Sequence, residues 1–441
     1  MSSTTDMERR AFLRSSVAVG AALAAERALA QAPGAGGTAP LRLGVVGVGG
    51  RGTGLLQTAL LFPDVAVPAV CDVVRGRAEQ AQHIVQQKTG AVPEAYWKDE
   101  FAWKDLMARD DLDAVIIATP WEWHARMAVG AMQTGKGAGV EVPAAITLEE
   151  CWELVRVSEQ TGKPCMMLEN VCYFQNVLTL LRMVREGLFG EILHCEAGYQ
   201  HDCRSLLFDA QGGLTWRGRH CAEKNGNLYP THPLGPIGQW MNINRGDRFT
   251  QVVSMSCGSR GMRDYAARKF GAEHPAARGD YRLGDVNTSL LKTANGMTVT
   301  LYFDLLTHRP YDLIFRLQGT EGIYLGTLGK VCLRTQESEA EQWAPFDPYL
   351  TTHAHPLWQA MAEAAAKHGG HGGSDYVMMH DFIRAVRARG PMPQDVYDAA
   401  TWSALFPLSI ASVAAGSQPV DFPDFTGGKW KTNRPLPIAG A

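Results

Sequence analysis

The stretch that most narrows what this chain can become is Leu41–Gly54, LRLGVVGVGGRGTG. A short apolar strand (Leu43, Val45, Val46) runs directly into Gly47-Val48-Gly49-Gly50-Arg51-Gly52, a complete G-x-G-x-x-G. Such a loop lets the backbone approach a pyrophosphate while the following helix offers its unpaired N–H groups to it. The surroundings are those the motif needs. A helix is predicted over Leu55–Leu61, and an acid, Asp72, ends the apolar run Val67–Cys71, 20 positions beyond Gly52. A carboxylate there takes ribose hydroxyls and repels a 2′-phosphate, so NAD is expected rather than NADP. Arg75 and Arg77 soften that preference without reversing it.

The pattern that follows fits a doubly wound parallel sheet, with strands and helices alternating. A polar helix spans Arg75–Lys88, a buried strand Asp113–Ala118, a helix Glu122–Gln133 and a short strand Ala138–Glu141. Thr147-Leu148-Glu149-Glu150 is a capping-box start for a helix to about Gln160, closed by Gly162 and Pro164. Cys165–Glu169 forms the last strand of this unit. Beyond Asn170 the reading changes. After a helix at Val177–Glu186, strands dominate at Ile192–Tyr199, Phe249–Cys257, Val286–Lys292, Met297–Leu305, Asp312–Gln318 and Gly322–Leu325. Asn295-Gly296 reads as a two-residue hairpin turn. The fold class expected is an α/β N-terminal domain with a doubly wound parallel sheet, then an α+β C-terminal domain with an open, largely antiparallel sheet. Closing helices at Tyr376–Arg387 and Asp395–Ala415 are expected to pack back on the first domain.

With 441 residues the chain is long enough for two cores. The boundaries expected are 1–30 for an export signal, 31–40 for a linker, 41–170 for the dinucleotide-binding domain and 171–441 for a domain serving substrate and oligomerisation. A net charge of −3 gives no electrostatic reason for nucleic acid as a partner. No apolar run is long enough to span a bilayer. The nine cysteines lack metal-site or disulfide-framework spacing, and small buried thiols are expected. His368-Gly-Gly-His371-Gly-Gly reads as a flexible loop, and no metal site is expected.

The N-terminal Glu8-Arg9-Arg10-Ala11-Phe12-Leu13-Arg14, the apolar Ser15–Ala25 and Ala28-Leu29-Ala30 resemble a bacterial twin-arginine export signal. That implies a periplasmic or secreted protein carried across the membrane already folded, cofactor included.

The glycine loop, the strand ending Ala118-Thr119-Pro120 and the tripeptide Glu141-Val142-Pro143 resemble the Gfo/Idh/MocA oxidoreductases. Those carry E-K-P with a catalytic lysine. Val142 stands in the lysine's place here and cannot exchange a proton, so acid–base work is expected from the second domain. The most specific blocks are Trp216-Arg217, Asn225–Pro236 (NGNLYPTHPLGP) and Asn244-Arg245-Gly246-Asp247. Together with Trp121–His124, Glu141–Ala145 and Glu169-Asn170 they resemble glycoside hydrolase family 109, the NAD-dependent α-N-acetylgalactosaminidases.

Position by position, the resemblance implies NAD contacts at Arg51, Gly52, Asp72, Trp121, Glu122, Trp123, His124, Glu141, Val142, Asn170, Tyr229, Pro230, Thr231 and His232, beside the loop glycines Gly47 and Gly49. It implies substrate contacts at Tyr199, Arg217, Tyr229 and Tyr311, with Arg219 as the neighbour that competes with Arg217 in the alignment. His232 falls at the family's catalytic histidine, with Tyr229 or Tyr199 as a second proton carrier. Glycosidases ordinarily use two carboxylates at a set separation, and no such pair stands out in this sequence. The family's route needs none: the sugar is oxidised at C3, the C2 proton becomes acidic and is removed, the C1 substituent is eliminated, and water addition and re-reduction restore the sugar. The cofactor would then be held tightly and recycled at each turnover. The partner expected is a small glycoside or glycan terminus bearing N-acetylgalactosamine or a related sugar, with a homo-oligomer through the C-terminal sheet. A sugar dehydrogenase of the same fold and a catalytically silent sugar-sensing protein are the alternatives.

Overall fold

Continuous apolar runs with no polar alternation demand strands covered on both faces, and the first domain satisfies them with a parallel sheet. In the computed structural model, residues 39–334, 342–368 and 370–435 are described; the segment expected to be an export signal and most of the expected linker lie outside them. Strands β1 (Leu41–Val46), β2 (Val65–Cys71), β3 (Glu94–Tyr96), β4 (Ala114–Ile117), β5 (Gly137–Val140) and β6 (Cys165–Met167) alternate with α1 (Gly50–Ala59), α2 (Arg75–Thr89), α3 (Trp103–Met107), α4 (Trp121–Gln133) and α5 (Leu148–Thr161). The strand order is β3-β2-β1-β4-β5-β6, all parallel, so the order reverses between β1 and β4. Ligands of such sheets sit outside the strand carboxyl ends at that reversal. Helix α1 starts at Gly50, not Leu55, because the loop's own glycines form its first turn. At α5 the Thr147 hydroxyl accepts from the Glu150 amide as expected, while the Glu150 carboxylate reaches the Ile146 amide.

The second domain contains α6 (Gln175–Arg185), β7 (Ile192–Gln200), α7 (Trp216–Glu223), α8 (Thr231–Trp240), β8 (Phe249–Ser256), α9 (Gly261–Phe270), β9 (Asn287–Thr293), β10 (Thr298–Asp304), β11 (Arg316–Gly319), β12 (Gly322–Leu325), β13 (Lys330–Leu333) and β14 (Ala344–Pro345). It closes with α10 (Tyr349–Thr352), α11 (Pro356–His368), α12 (Ser374–Ala388), α13 (Val396–Ala414) and β15 (Val420–Asp421). Its sheet runs β14-β13-β12-β11-β7-β10-β9-β8-β15, antiparallel except where central β7 pairs with β10. The hairpin at Asn295-Gly296 is a three-residue connection, since Thr293 pairs with Met297 and Gly296 takes φ +93°. The strand expected from Asp312 forms only from Arg316, with Asp312 left as an isolated bridge to Gln200.

Helices α7, α8 and α9 interrupt what the sequence suggested was strand-rich. The least expected is α8, whose THPLGPIGQW contains two prolines and two glycines. Pro233 lies in the first turn, where a missing N–H costs nothing. Gly235 and Gly238 let Trp402 of α13 approach so closely that an added Cβ would lie 3.1 and 2.7 Å from the indole. Helix α13 is buried over most of its length and packs on α5 and β6 as well as on β8. Its N-cap Asp395 accepts from the Tyr397 and Asp398 amides and, with Asp398, holds Arg245. Seven of the nine cysteines are buried, and none is in a disulfide.

Candidate active site

A cavity of about 800 Å³ opens at the carboxyl ends of β1, β2, β4 and β5 and is walled on its other side by the second domain. The glycine loop forms one end. Gly47 has φ +81°, and a Cβ on Gly52 would meet the Gly47 carbonyl oxygen at 1.7 Å, so neither position tolerates a side chain. Gly49 and Gly50 are different: a Cβ there meets only Arg77 Nη1 at 3.6 Å, or nothing within 4 Å. The open space over them is the cradle a diphosphate needs at the start of α1. Asp72 is buried at the next strand end. Its carboxylate accepts from the Val48 amide (3.0 Å) and the Val74 amide (2.8 Å), fixing the loop against β2 with lone pairs left for a ribose. Arg75 turns outward onto Trp97 and Glu79, whereas Arg77 stays on the cavity wall. These residues fit a dinucleotide.

Arg51 lines the cavity, but its guanidinium is engaged by protein acids. It donates to Glu141 Oε1 (2.6 Å) and through two nitrogens to Asp375 (2.7 and 3.0 Å). Asp375 also accepts from the Asn170 side-chain Nδ2 (3.0 Å) and pairs with His371 (2.9 Å). Burial would raise the Asp375 carboxyl, yet hydrogen bonds from His371 and Arg51 hold it well below the usual range. The hydrogen bond to Asp375 correspondingly raises His371. The HGGHG segment therefore supplies a cavity-wall residue tied to the glycine loop, instead of a detached flexible loop. His124 is fully enclosed between the Pro143 and Thr119 carbonyls (2.7 and 2.8 Å), and burial lowers its pKa, so one N–H serves one of the two.

Trp121 is buried beneath the middle of the cavity, against Trp216, His220 and Tyr229. The Arg217 guanidinium stacks 4.9 Å from both tryptophan rings and 5.6 Å from that of Tyr229. Arg219 instead points away to the Leu214 carbonyl, so Arg217 is the arginine on the wall.

At the far end His232, in the first turn of α8, lies against Tyr229 and Tyr199 with ring centroids 4.9 and 5.2 Å away. Its Nδ1 is 2.6 Å from Glu169 Oε1, which also accepts from the Val171 amide (3.1 Å). Oε1 acts as the acceptor, so Nδ1 donates in this contact, and in the neutral imidazole Nε2 is then left as an acceptor. Glu169 is completely buried, and Gln394 locks its backbone from both sides at 3.0 Å. The sequence shows Glu169 only as half of the Glu169-Asn170 pair and assigns it no task. The neighbour of His232 in space is 63 positions away in the chain.

Gly47, Gly49, Asp72, Trp123, His124, Glu141, Val142, Asn170, Tyr199, Arg217, Tyr229 and His232 all line this one cavity. Glu122, Pro230 and Thr231 do not. Glu122 turns to His220 (3.2 Å), while Pro230 and Thr231 are buried where α8 begins. Gly52 is packed beneath the loop rather than on the wall. Tyr311 is not on the wall itself: it is 45% exposed just outside it, with its ring 6.0 Å from Tyr199 and 5.1 Å from His201, which both line it. Desolvation raises the Tyr199, Tyr229 and Tyr311 phenols.

Residues 41–169 match the oxidoreductase family with an NAD-binding Rossmann fold, and residues 173–432 match the glycosyl hydrolase 109 C-terminal domain. A glycosyl hydrolase family 109 protein of Stenotrophomonas maltophilia is 40% identical over 98% of both chains. An alpha-N-acetylgalactosaminidase of Tannerella forsythia is 43% identical over 90% of this chain and 88% of that protein. In fold the chain resembles a levoglucosan dehydrogenase solved with NADH, at a TM-score of 0.67 and 21% identity, over 87% of this chain and all of that one.

Proposed function

The chain belongs to glycosyl hydrolase family 109 and is an NAD-dependent glycoside hydrolase, and from that premise we propose that it cleaves terminal N-acetylgalactosamine, or a closely related sugar, through a transient ketone at C3. One observation carries the reading. Among the described residues, the second domain contributes histidines, tyrosines and an arginine to the cavity wall, and no carboxylate. Of the first domain's acids on that wall, Asp72 holds backbone amides, Glu141 is paired with Arg51, and Asp99 and Glu100 lie in the exposed turn after the edge strand β3, beyond the strand that ends at Asp72. The two carboxylates of ordinary glycoside hydrolysis are therefore not at hand where a sugar would sit.

Bound NAD supplies a reversible hydride acceptor for the sugar. The residues supply the rest. His232 Nε2, left free by the Glu169 contact at Nδ1, takes the proton of the C3 hydroxyl. Tyr229 and Arg217 hold the sugar, the arginine fixed by its stack on two indoles. Tyr199 stands beside the carbon next in line. Trp121 and Val142 exclude water from the buried wall, and Val142 cannot itself exchange a proton. The Arg51–Asp375 pair joins the glycine loop to α12, which supports a cofactor that is retained and recycled.

The test is a set of aryl α- and β-glycosides assayed with and without added NAD. Sugar release with no net reduced cofactor, and about one NAD per chain after dialysis and denaturation, is expected. Net reduced cofactor without glycosidic cleavage would overturn the reading in favour of a sugar dehydrogenase. We also propose export by the twin-arginine route, on the Arg9-Arg10 motif, which cell fractionation of an Arg9→Lys, Arg10→Lys variant tests by retention inside. A homo-oligomer through the C-terminal sheet is proposed on the exposed Leu193, Met255 and Leu290 of its open face, and a monomer in light scattering would refute it.

A further inference from the structure

His201 lines the cavity, and neither the motifs nor the comparisons give it a task. Its Nδ1 is 3.2 Å from the Tyr199 hydroxyl, which also has Cys203 Sγ at 3.9 Å. Tyr199 is only 7% exposed, and desolvation places its phenol well above the ordinary value. Such a phenol accepts a proton at neutral pH only if its own proton leaves in the same motion. His201 is the group placed to receive it: burial favours the neutral imidazole, with Asp202, Arg217 and His232 as the charged and titratable groups around it.

The wall has an order. His232 is next to Tyr199 (5.2 Å between rings), Tyr199 is next to His201 (5.8 Å), and His201 is next to Tyr311 (5.1 Å), which is exposed to solvent. His232 belongs to the inner end through Glu169, beside the cavity-lining Asn170. A sugar oxidised at C3 has a matching order. Its C3 must face the hydride acceptor, C1 carries the group that leaves through the mouth, and C2 lies between them.

We infer that His201 is the proton acceptor behind Tyr199 in removal of the C2 hydrogen, a positioning residue that acts through the phenol. The C2–H bond breaks and its electron pair moves into the C2–C3 bond, leaving the negative charge on the C3 oxygen. The proton joins Tyr199 Oη as the phenol's own proton passes to His201 Nδ1, giving an imidazolium. The resulting enolate expels the C1 substituent. This step is redox-neutral and requires only the C3 ketone, so it rests on the proposed function.

The holoenzyme is mixed with substrate in heavy water, following the near-ultraviolet absorbance of reduced nicotinamide and deuterium entry at C2. In wild type both are expected. In His201→Gln the absorbance rise is expected within about tenfold of wild type, while C2 deuteration and cleavage fall by about 10²-fold or more. Tyr199→Phe is expected to show the same split and serves if His201→Gln does not fold. A merely structural role would depress the two signals together. The inference is overturned if C2 deuteration in either variant stays within about threefold of wild type, or if the absorbance rise falls in step with it. A wild type with no absorbance rise would overturn the C3 reading and this inference with it, whereas a failure confined to the variants leaves that reading standing.

Discussion

Replacing Glu169 tests whether His232 is oriented by geometry or by charge. One carboxylate oxygen, Oε1, serves both the His232 Nδ1 contact (2.6 Å) and the Val171 amide (3.1 Å). The other, Oε2, is buried with no hydrogen-bond partner among the described residues. Glu169→Gln can therefore keep its oxygen where Oε1 lies, retain both hydrogen bonds and place its NH2 where Oε2 was. What it loses is charge. A hydrogen bond to a charged group contributes about 1.5–3 kcal/mol and a neutral one about 0.5–1.5. The difference of about 1–2 kcal/mol predicts a fall in kcat of roughly 5- to 30-fold. Glu169→Ala loses both bonds, frees the imidazole to turn or change tautomer, and should cost about 10³- to 10⁴-fold, the scale for removing the carboxylate behind a catalytic histidine. The assay is initial rate on an aryl glycoside, with NAD content and Tm recorded for each variant. Equal losses for Gln and Ala would refute the geometric argument. An Ala variant within about tenfold of wild type would remove the dyad from the mechanism.

Gly52→Ala must displace backbone, since its Cβ would meet the Gly47 carbonyl at 1.7 Å, and it should lose bound NAD and several degrees of Tm together. Gly49→Ala has open space in the protein, so Tm without cofactor should stay within a few degrees while the NAD released on denaturation falls steeply. Burial, with Arg185 and Arg182 nearby, lowers buried His355 from the ordinary 6.5 to about 4. The unfolded chain takes up that proton first, so stability should be lost as pH falls from about 6.5 towards 4, by up to about 3 kcal/mol. His355→Gln should flatten that loss in denaturant titrations; an unchanged slope would contradict the assignment. His371 is raised above 6.5 by Asp375, so its contribution is full below 6.5 and lost as pH rises through its folded value. His371→Ala should therefore lower Tm in mildly acidic buffer more than in mildly alkaline buffer.

The dinucleotide end of the cavity was legible because its determinants are local. Strand, glycine loop and Asp72 lie within about thirty consecutive residues and obey one spacing rule. The chemistry at the other end was legible only in part. His232 and its tyrosines emerged through the family's motif, but Glu169 contacts His232 across 63 positions and Asp375 contacts Arg51 across 324. Neither pairing leaves a mark in local sequence. Arg51 illustrates the cost: its place in the glycine loop suggests a cofactor contact, yet three of its N–H groups go to acids from elsewhere in the chain. Helix α8 escaped because its prolines and glycines argue locally against a helix. The space Gly235 and Gly238 leave for Trp402 outweighs that preference, as tertiary packing often does. His201 escaped for a simpler reason: nothing in a Tyr-x-His triplet shows that the imidazole will turn back onto the phenol.

The proposed function requires that the sugar–oxygen bond is broken only after the sugar has given up hydride from C3, with His232 taking the hydroxyl proton. An aryl N-acetylgalactosaminide lacking the C3 hydroxyl tests it most directly, because neither the hydride nor that proton can then be removed as proposed. This compound is expected to occupy the site as a competitive inhibitor and to be cleaved at least about 10³-fold more slowly than its parent. Cleavage of the 3-deoxy compound at the parent's rate would contradict it.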